Sequence, residues 1–580
     1  MTSSWILRPV LSIGVVIAAL ATAPAGFAQP ASPALLDPVL PPLSAPKMKF
    51  YQSHPAEWTQ LLANLPRRPA ETPRGATHQS SSVTSRLTGG TWQDVTTAPF
   101  QGLCNPLLLS DGTVIVASCD TPDWYKLTPD INGNYADGTW SQIASLPVIG
   151  TKHYAPQYHS SAVLPDGRVI IMGGEYNGSN SGVWTNEGAV YNPVTNVWTA
   201  VNPPAGSSWT MIGDAESTML PNGLYLQAAC CAYPAADALL DPASMTWSNT
   251  GAPTAGGNYQ DEQGYNLLPN GNVLTLDIWT NYPAGGATNA EQYNPATGVW
   301  TGAGNTPVSL VDPAQCGNWE IGPAVLRGDG TLVAFGGNTG CVAPTADPIA
   351  IYDTTSGTWT AGPNLPAICG RTANLSCTLP DAPGALLPNG NILFAASDKY
   401  GDHPTHFFEF TRGNFIKQVP DTLNYAGSSG AYYYNFLVLP NGQILSTDFS
   451  SIAEVFTETG RPESRWAPTI TSAPAEIGSC QIYNLQGKQF SGVTQGAYYG
   501  DDVQGFTNFP IVRIVNQGTG HVFYARTFNF GAMTVKPGAT SAVDVLIPGA
   551  IETGASTLSV IANGIASSPV NVTVETSGGC

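Results

Sequence analysis

Charged residues are scarce in this chain, and basic residues are the scarcest of them. Of 580 residues only 11% are charged, with 21 Lys and Arg against 40 Asp and Glu and a formal net charge of −19. Phosphate binding needs clustered Lys and Arg, so a nucleic-acid partner is disfavoured. The 62 glycines and 49 prolines are typical of short strands joined by many turns, rather than of long charged helices.

The chain also lacks the short motifs that assign chemistry to many enzymes. It contains no Gly-rich phosphate loop, no serine nucleophile motif and no zinc-binding helix motif. Its first apolar run, 10–23, is too short to span a bilayer comfortably. Because Arg8 precedes this run and Ala28 ends a small-residue cleavage sequence, we expect residues 1–28 to be a secretory signal. Residues 29–85 are rich in Pro, Ser and Ala and are interpreted as a linker.

Ten cysteines in a secreted chain predict disulfide bonds, because export places the protein in an oxidising compartment. Cys104 and Cys119 lie at equal distances on either side of a turn, where a two-residue hairpin would place them opposite each other. The full set of expected pairs is Cys104–Cys119, Cys230–Cys231, Cys316–Cys341, Cys369–Cys377 and Cys480–Cys580.

A turn phrase repeats seven times and organises the middle of the chain. Five copies read Leu-Pro-Asp-Gly or Leu-Pro-Asn-Gly within an apolar run, as in SAVLPDGRVIIMGG at 161–174, and two read LSDG and RGDG. Successive copies are 48 to 60 residues apart. Asn or Asp before Gly is a hairpin signal, here interpreted as a two-residue turn. A period near 50 residues, built of strands, predicts a propeller.

A second phrase places a tryptophan on an outer strand of each repeat. Trp92 comes before the first turn phrase, while the seventh repeat has no tryptophan strand of its own. We therefore expect the strand around Trp92 to complete the last blade, which removes the exposed sheet edges of an open ring. The other members of the set are Trp140, Trp198, Trp247, Trp300 and Trp359.

These repeats resemble kelch repeats, and residues 155–198 more closely resemble galactose oxidase and related copper radical oxidases. The resemblance extends to domain order, because residues 467–580 alternate apolar and polar residues like a sandwich and look like the immunoglobulin-like domain that ends those oxidases. It implies an all-β protein, with a seven-bladed kelch-type β-propeller over 86–466 followed by an immunoglobulin-like domain. Scaffold similarity alone does not assign chemistry.

The resemblance also implies a copper site. Tyr158 matches the family's cross-linked tyrosine, Cys104 falls near its cysteine partner, and Tyr432 matches the axial tyrosine. His521 lies where the tail domain contributes a histidine. The family pattern is incomplete, because Tyr433 stands where a second histidine is expected, and copper in such a site depends on imidazole ligands.

Residues counted back from each turn phrase predict a ring of acids at the mouth, the face at which the inner strands begin. Seven or eight residues before the turn, four consecutive blades carry a carboxylate, and two other blades carry Tyr158 and Tyr433. Crowded carboxylates can serve as acid and base; alternatively they accept loop hydrogen bonds or bind calcium. The acids are Asp214, Glu262, Glu320 and Asp381, and the neighbouring aromatic residues expected to bind sugar are Trp319, Trp209 and Tyr259.

Three functional hypotheses remain open from the sequence. The first is a secreted enzyme that acts on extracellular carbohydrate, or a related polyhydroxylated substrate, through the mouth carboxylates and Tyr158. The second is a copper radical oxidase, and the third is a non-catalytic glycan-binding propeller. The cofactor is open between none, copper and calcium, and we expect a monomer.

Overall fold

The turn phrase forms the same hairpin loop in all seven repeats. In the computed structural model, Leu164 and Arg168 close a three-residue loop, with the Leu164 N–H donating to the Arg168 carbonyl over 2.8 Å. The Asp166 carboxylate accepts a hydrogen bond from the Arg168 N–H, and only Gly167, with φ 82°, is left-handed. The two-residue turn predicted from the sequence is therefore wrong, because a glycine at the third loop position supplies the left-handed residue of a three-residue hairpin.

The structure describes residues 87, 89–178, 184–230, 235–253, 260–280, 286–311, 320–337, 349–366, 368–369, 377–397, 403–499 and 505–576. The predicted signal sequence and the linker lie outside these residues. Among the described residues, no helix has the length and apolar character needed to cross a membrane.

Seven four-stranded antiparallel sheets form the propeller, each numbered here from its inner strand outward. The chain begins with β1 (Thr91–Asp94), which belongs to the last blade. Blade 1 contains β2 (Leu103–Leu108), β3 (Val114–Ser118), β4 (Trp124–Thr128) and β5 (Thr139–Gln142). Short pairs follow, β6 (Val148–Ile149) with β7 (Lys152–His153), and β8 (Pro156–Gln157) with β11 (Tyr176–Asn177). Blade 2 contains β9 (Ser160–Val163), β10 (Val169–Met172), β12 (Gly188–Asn192) and β13 (Val197–Ala200).

The next four blades repeat this order of strands. Blade 3 contains β14 (Ser217–Met219), β15 (Tyr225–Ala229), β16 (Ala236–Asp241) and β17 (Thr246–Thr250). Blade 4 contains β18 (Asn266–Leu267), β19 (Val273–Leu276), β20 (Asn289–Asn294) and β21 (Val299–Asn305). Blade 5 contains β22 (Ile321–Leu326), β23 (Thr331–Gly336), β24 (Ile349–Asp353) and β25 (Thr358–Ala361). Blade 6 contains β26 (Gly384–Leu386), β27 (Ile392–Ser397), β28 (Thr405–Phe410) and β29 (Ile416–Val419).

The seventh blade closes the ring as the sequence predicts. It contains β30 (Asn435–Val438), β31 (Ile444–Thr447) and β32 (Glu454–Thr457). Its outer strand is β1, in which Trp92 pairs with Phe456. Short 3-10 helices occur at Ser207–Thr210, Ala431–Tyr433 and Ser464–Trp466.

The outer-strand tryptophans join neighbouring blades. Trp359 of blade 5 donates through Nε1 to the Ala303 carbonyl of blade 4 over 3.0 Å, and Trp92 of blade 7 donates to the Pro420 carbonyl, directly after blade 6, over 2.7 Å. Trp140, Trp247 and Trp300 donate in the same way to the preceding blade. The repeated tryptophan is therefore both an aromatic anchor and a hydrogen-bond donor, which explains its place in the repeat.

The tail domain packs against the face of the propeller that carries the turn phrases. Its strands are β33 (Thr469–Ser472), β34 (Glu476–Gly478), β35 (Ile482–Lys488), β38 (Ile511–Asn516), β39 (Val522–Phe528), β40 (Thr540–Leu546), β41 (Gly554–Ala562), β42 (Ile565–Ala566) and β43 (Val570–Glu575). At the contact, the Arg526 guanidinium donates to the Asp166 carbonyl over 2.7 Å. The assignment of this domain to the immunoglobulin-like class stays a prediction.

One hairpin leaves the tail domain and enters the central channel. It consists of β36 (Gly496–Tyr498) and β37 (Gly505–Phe506). Strand β36 pairs with the inner strand of blade 6, with Ala497 opposite Ala385. The inner edge of that blade is thus covered by backbone from the other domain, and the two domains share one sheet.

Two of the expected disulfides are present among the described residues. Cys104 bonds Cys119, and Cys369 bonds Cys377. Cys104 is opposite Ala117 rather than Cys119 in the ladder, because the loop has three residues and β2 contains an irregularity. Cys230 and Cys480 are also disulfide-bonded, but Cys231 and Cys580 lie outside the described residues, as do Cys316 and Cys341, so those pairings stay predictions.

Candidate active site at the mouth of the propeller

The positions counted back from the turn phrases all lie at the mouth and are all buried. Tyr158 is 3% exposed, Tyr433 is 2% exposed, and Asp214, Glu262 and Asp381 are 0% exposed. Three of these residues have left-handed backbone, with φ of 51° at Tyr158, 64° at Glu262 and 53° at Asp381. Such a conformation costs a non-glycine residue about 1–2 kcal/mol, and residues that retain it cluster at functional sites.

Glu262, Glu320 and Asp381 form what we call the carboxylate cluster. One oxygen from each of these residues lies within 4.8 Å of the others, and all three side chains are buried. They come from three consecutive blades, 4, 5 and 6, just before the inner strands β18, β22 and β26. Carboxylates at this spacing repel one another unless they share protons or hold a cation. The structure thus brings together three of the four predicted acids.

The fourth predicted acid, Asp214, lies in a neighbouring group. A carboxylate oxygen of Asp214, another of Asp261 and the Cys230 sulfur lie within 4.8 Å of one another. Because Cys230 is disulfide-bonded, its sulfur is not a thiolate and makes a poor metal ligand. This second group therefore offers two carboxylates rather than a three-ligand site.

Tyr158 lies between the acids and an aromatic cluster. Its ring is 6.2 Å from the ring of Tyr176 and 6.4 Å from that of Tyr499. Burial raises the pKa of Tyr158 well above its ordinary value, and the charges of Tyr433, Glu175 and Asp381 raise it further. The phenol therefore keeps its proton at neutral pH, so it can donate a hydrogen bond or return a proton to a leaving group.

Two tyrosines of blade 7 and one of the tail domain complete this aromatic wall. The rings of Tyr432 and Tyr433 are 4.2 Å apart. Tyr499 directly follows β36, and its hydroxyl donates to the Tyr432 carbonyl over 2.6 Å. The sequence reasoning missed Tyr499; the aromatic and glycine-rich stretch QGAYYG at 495–500 is the signal that marks it.

His521, the tail residue expected to reach the mouth, lies on the opposite face. It is at the turn between β38 and β39, where its Nδ1 contacts Glu552 at 2.6 Å, and the N–H of the next residue, Val522, donates to the Ile131 carbonyl at the far end of blade 1. The expectation that His521 is a mouth ligand is wrong. The tail residue that the central hairpin brings beside Tyr158 is Tyr499.

The copper radical arrangement needs a free cysteine thiol beside Tyr158 and imidazole ligands, and the described residues do not supply them there. Cys104 is consumed in the disulfide with Cys119. His159 follows Tyr158, but its ring contacts the Asn105 amide at 2.7 Å, and burial lowers its pKa to about 4. Copper(II) is poorly matched to carboxylates and protonated phenols alone. The residues present therefore do not fit the copper group that the resemblance implies.

The predicted sugar-binding aromatics fall into two groups. Trp209 is 3% exposed, in a short 3-10 helix, and its ring packs 6.5 Å from that of Trp247. It is a core residue, so its predicted role as a sugar platform is wrong. Tyr433 is buried beside Tyr432 and Phe449. Trp319 and Tyr259 lie outside the described residues and stay predictions.

Comparison with known proteins agrees with the fold and leaves the chemistry open. Residues 156–205 match the model of the kelch motif, and together with the seven blades this makes the protein a kelch-type propeller, with an architecture like that of the copper radical oxidases. One similar solved structure is a fungal alcohol oxidase of the AA5 family in complex with copper. It is 12% identical, with a TM-score of 0.44, over 84% of this chain and 99% of that one.

Another similar structure is the extracellular domain of a putative one-component system from B. thetaiotaomicron. It is 11% identical, with a TM-score of 0.36, over 82% of this chain and 57% of that one. No protein with a curated description matches the chain. At such identities the likeness concerns the fold and assigns no substrate or metal.

Proposed function

We propose that this protein is a secreted enzyme that acts on a polyhydroxylated extracellular substrate at the mouth of the propeller. The observation that carries the proposal is the convergence of Glu262, Glu320 and Asp381, whose carboxylate oxygens lie within 4.8 Å of one another. Buried acids brought together from three blades are a costly arrangement for a scaffold, and such clusters are typical of catalytic or cation-binding sites. Disulfide bonds such as Cys104–Cys119 support secretion.

A hard divalent cation fits this cluster better than copper does. Calcium and magnesium take oxygen ligands, chiefly carboxylates, carbonyls and water, whereas copper favours imidazole and sulfur. When bound, the cation would hold substrate hydroxyl groups and lower their pKa. The chain's own contribution is a set of three fixed oxygen donors and, beside them, the protonated phenol of Tyr158. Tyr158 is positioned to donate its proton to a departing oxygen.

An oxidase is the second candidate function. The observation that favours it is the entry of a tail residue, Tyr499, into the aromatic wall around Tyr158, because the resemblance to copper radical oxidases implies a tail residue at this place. Its weakness is the ligand set, which offers phenols and carboxylates where that family has imidazoles and a thioether-linked tyrosine.

Metal analysis and cation binding test the two candidates together. We expect purified protein to bind calcium, followed by calorimetry, and to rise in melting temperature when calcium is added. The variant Glu320→Gln keeps the shape of the side chain and removes one charge, so its calcium affinity should fall roughly 10-fold or more. The matched control is Asp137→Asn, an exposed acid on the outer part of blade 1, which should bind like the wild type.

The outcomes separate the candidates. Bound copper with oxidation of an alcohol would establish the oxidase and end the first proposal. Binding of neither metal, together with unchanged turnover of a screened substrate in Glu320→Gln, would show that the carboxylate cluster is structural. Calcium binding that survives Glu320→Gln would place the cation elsewhere.

A further inference from the structure

The side chain of Gln495 bridges two blades directly behind their acidic residues. Gln495 is fully buried at the base of the central hairpin. Its Oε1 accepts a hydrogen bond from the Leu267 N–H of blade 4 over 2.7 Å. Its Nε2 donates to Thr218 Oγ1 of blade 3 over 2.8 Å. One side chain of the tail domain thus joins two inner strands of the propeller.

These two strands are short, which gives the bridge its importance. Strand β18 has only the residues Asn266 and Leu267, and β14 has only Ser217–Met219. Few ladder hydrogen bonds therefore fix their ends, and their inner edges face the channel rather than another strand. A buried backbone N–H at such an edge needs a partner, and Gln495 supplies it for Leu267.

The acids of the mouth lie a few residues upstream of the bridged positions. Glu262 precedes Leu267 by five residues, and Asp214 precedes Thr218 by four. The Gln495 backbone is itself held, because its carbonyl accepts from the Thr507 N–H over 2.7 Å. The hairpin is therefore a fixed support, and the side chain transmits its position to the segments that carry Glu262 and Asp214.

We propose that Gln495 is a positioning residue of the candidate active site, which sets the placement of Glu262 relative to Asp214 through its bonds to Leu267 and Thr218. The tail domain then takes part in the site through two residues, Tyr499 at the aromatic wall and Gln495 behind the acids. This inference rests on the proposed function only in taking the mouth as the active site.

Hydrogen exchange of the full-length protein tests the bridge directly. In Gln495→Met, which keeps the length of the side chain and removes both bonds, amides over 260–268 and 214–220 should exchange at least about 5-fold faster, the factor expected for one lost hydrogen bond. Gln495→Glu should restore slow exchange, because a carboxylate accepts from both the Leu267 N–H and the Thr218 hydroxyl. Ser491→Ala is the control, since it removes a tail hydrogen bond to Ala532 away from the propeller.

Terbium, a luminescent stand-in for calcium, gives the functional readout. Its affinity should fall about 5-fold in Gln495→Met, recover in Gln495→Glu and stay unchanged in Ser491→Ala. Unchanged exchange at 260–268 in Gln495→Met, or equal acceleration in Ser491→Ala, would overturn the inference. Accelerated exchange with unchanged terbium affinity would also overturn it. A wild type that binds no terbium would count against the proposed cation site alone, and the exchange result would still decide whether Gln495 positions these segments.

Discussion

The hydroxyl of Tyr499, in the tail domain, donates a hydrogen bond to the carbonyl oxygen of Tyr432, in the propeller, over 2.6 Å. The Tyr499 ring lies nearly parallel to that of Tyr158, at 24° and 6.4 Å between centroids. The candidate site is thus built from both domains. The architecture predicted from the sequence includes a tail residue at the mouth, but the residue that occupies this place is a tyrosine, so the site has a phenol where the copper oxidases have an imidazole.

The first prediction concerns the state of Cys104. Peptide mapping without reduction should recover Cys104 linked to Cys119, and the peptide that contains Tyr158 should have its unmodified mass. Copper measured by elemental analysis should be far below one atom per chain, because no thiol or imidazole adjoins Tyr158 among the described residues. A thioether-linked Cys104–Tyr158 peptide with bound copper would contradict this and restore the oxidase mechanism.

The second prediction separates backbone strain from steric clash in the turn phrase. Gly271 and Gly390 have nearly the same φ, 89° and 90°. An added Cβ at Gly271 would meet only Pro221, at 3.6 Å, whereas at Gly390 it would meet the Trp466 ring at 2.5 Å. We expect Gly271→Ala to lower the free energy of unfolding by about 1 kcal/mol, and Gly390→Ala by a further 1–3 kcal/mol, roughly the cost of overpacking.

Urea unfolding of both variants checks this pair. Equal losses would show that the contact between Trp466 and the turn relaxes without cost. A larger loss in Gly271→Ala would contradict the assignment of strain to the shared left-handed conformation.

The fold could be predicted from the sequence because it depends on repetition, whereas the site depends on contacts between distant segments. The turn type was wrong, yet the blade count was correct, since the spacing of the phrases does not depend on whether Asp166 or Gly167 is left-handed. Counting from the phrases also located Glu262 and Asp381, because every blade begins at the same face. Tyr499 and His521 were exchanged because nothing local shows which hairpin of the tail domain enters the channel.

The third prediction is that the protein is more stable near pH 5 than near pH 8. Burial raises the pKa of Asp237, Glu454 and Glu458 to about 7, and that of Asp277 to about 8. These groups stay protonated in the folded state at pH values where the unfolded chain is ionised. Folding therefore takes up protons, and stability decreases as pH rises from about 4 to about 8.

Urea unfolding at pH 5 and pH 8, in the presence of EDTA, measures this effect. The variant Asp277→Asn removes one of the four groups, so the difference between the two pH values should shrink. Stability that rises with pH across this range would show that the four acids are ionised in the folded protein, and the prediction would fail.

The last prediction uses a double-mutant cycle within the carboxylate cluster. Three carboxylates whose oxygens lie within 4.8 Å of one another repel in the absence of a cation. Glu262→Gln and Asp381→Asn should each raise the free energy of unfolding in EDTA, by about 1 kcal/mol or more. The double variant should gain less than the sum, because the repulsion between Glu262 and Asp381 is removed only once.

Adding calcium should reverse the order of stabilities, since the variants lose ligands that the wild type uses. The exposed acid Asp137 gives the matched control, and Asp137→Asn should follow the wild type with and without calcium. If each amide substitution instead lowers stability in EDTA, the carboxylates are held by hydrogen-bond donors of the surrounding loops. They would then be structural residues of the propeller mouth, because a group that repels in the metal-free protein cannot lose stability when one of its charges is removed.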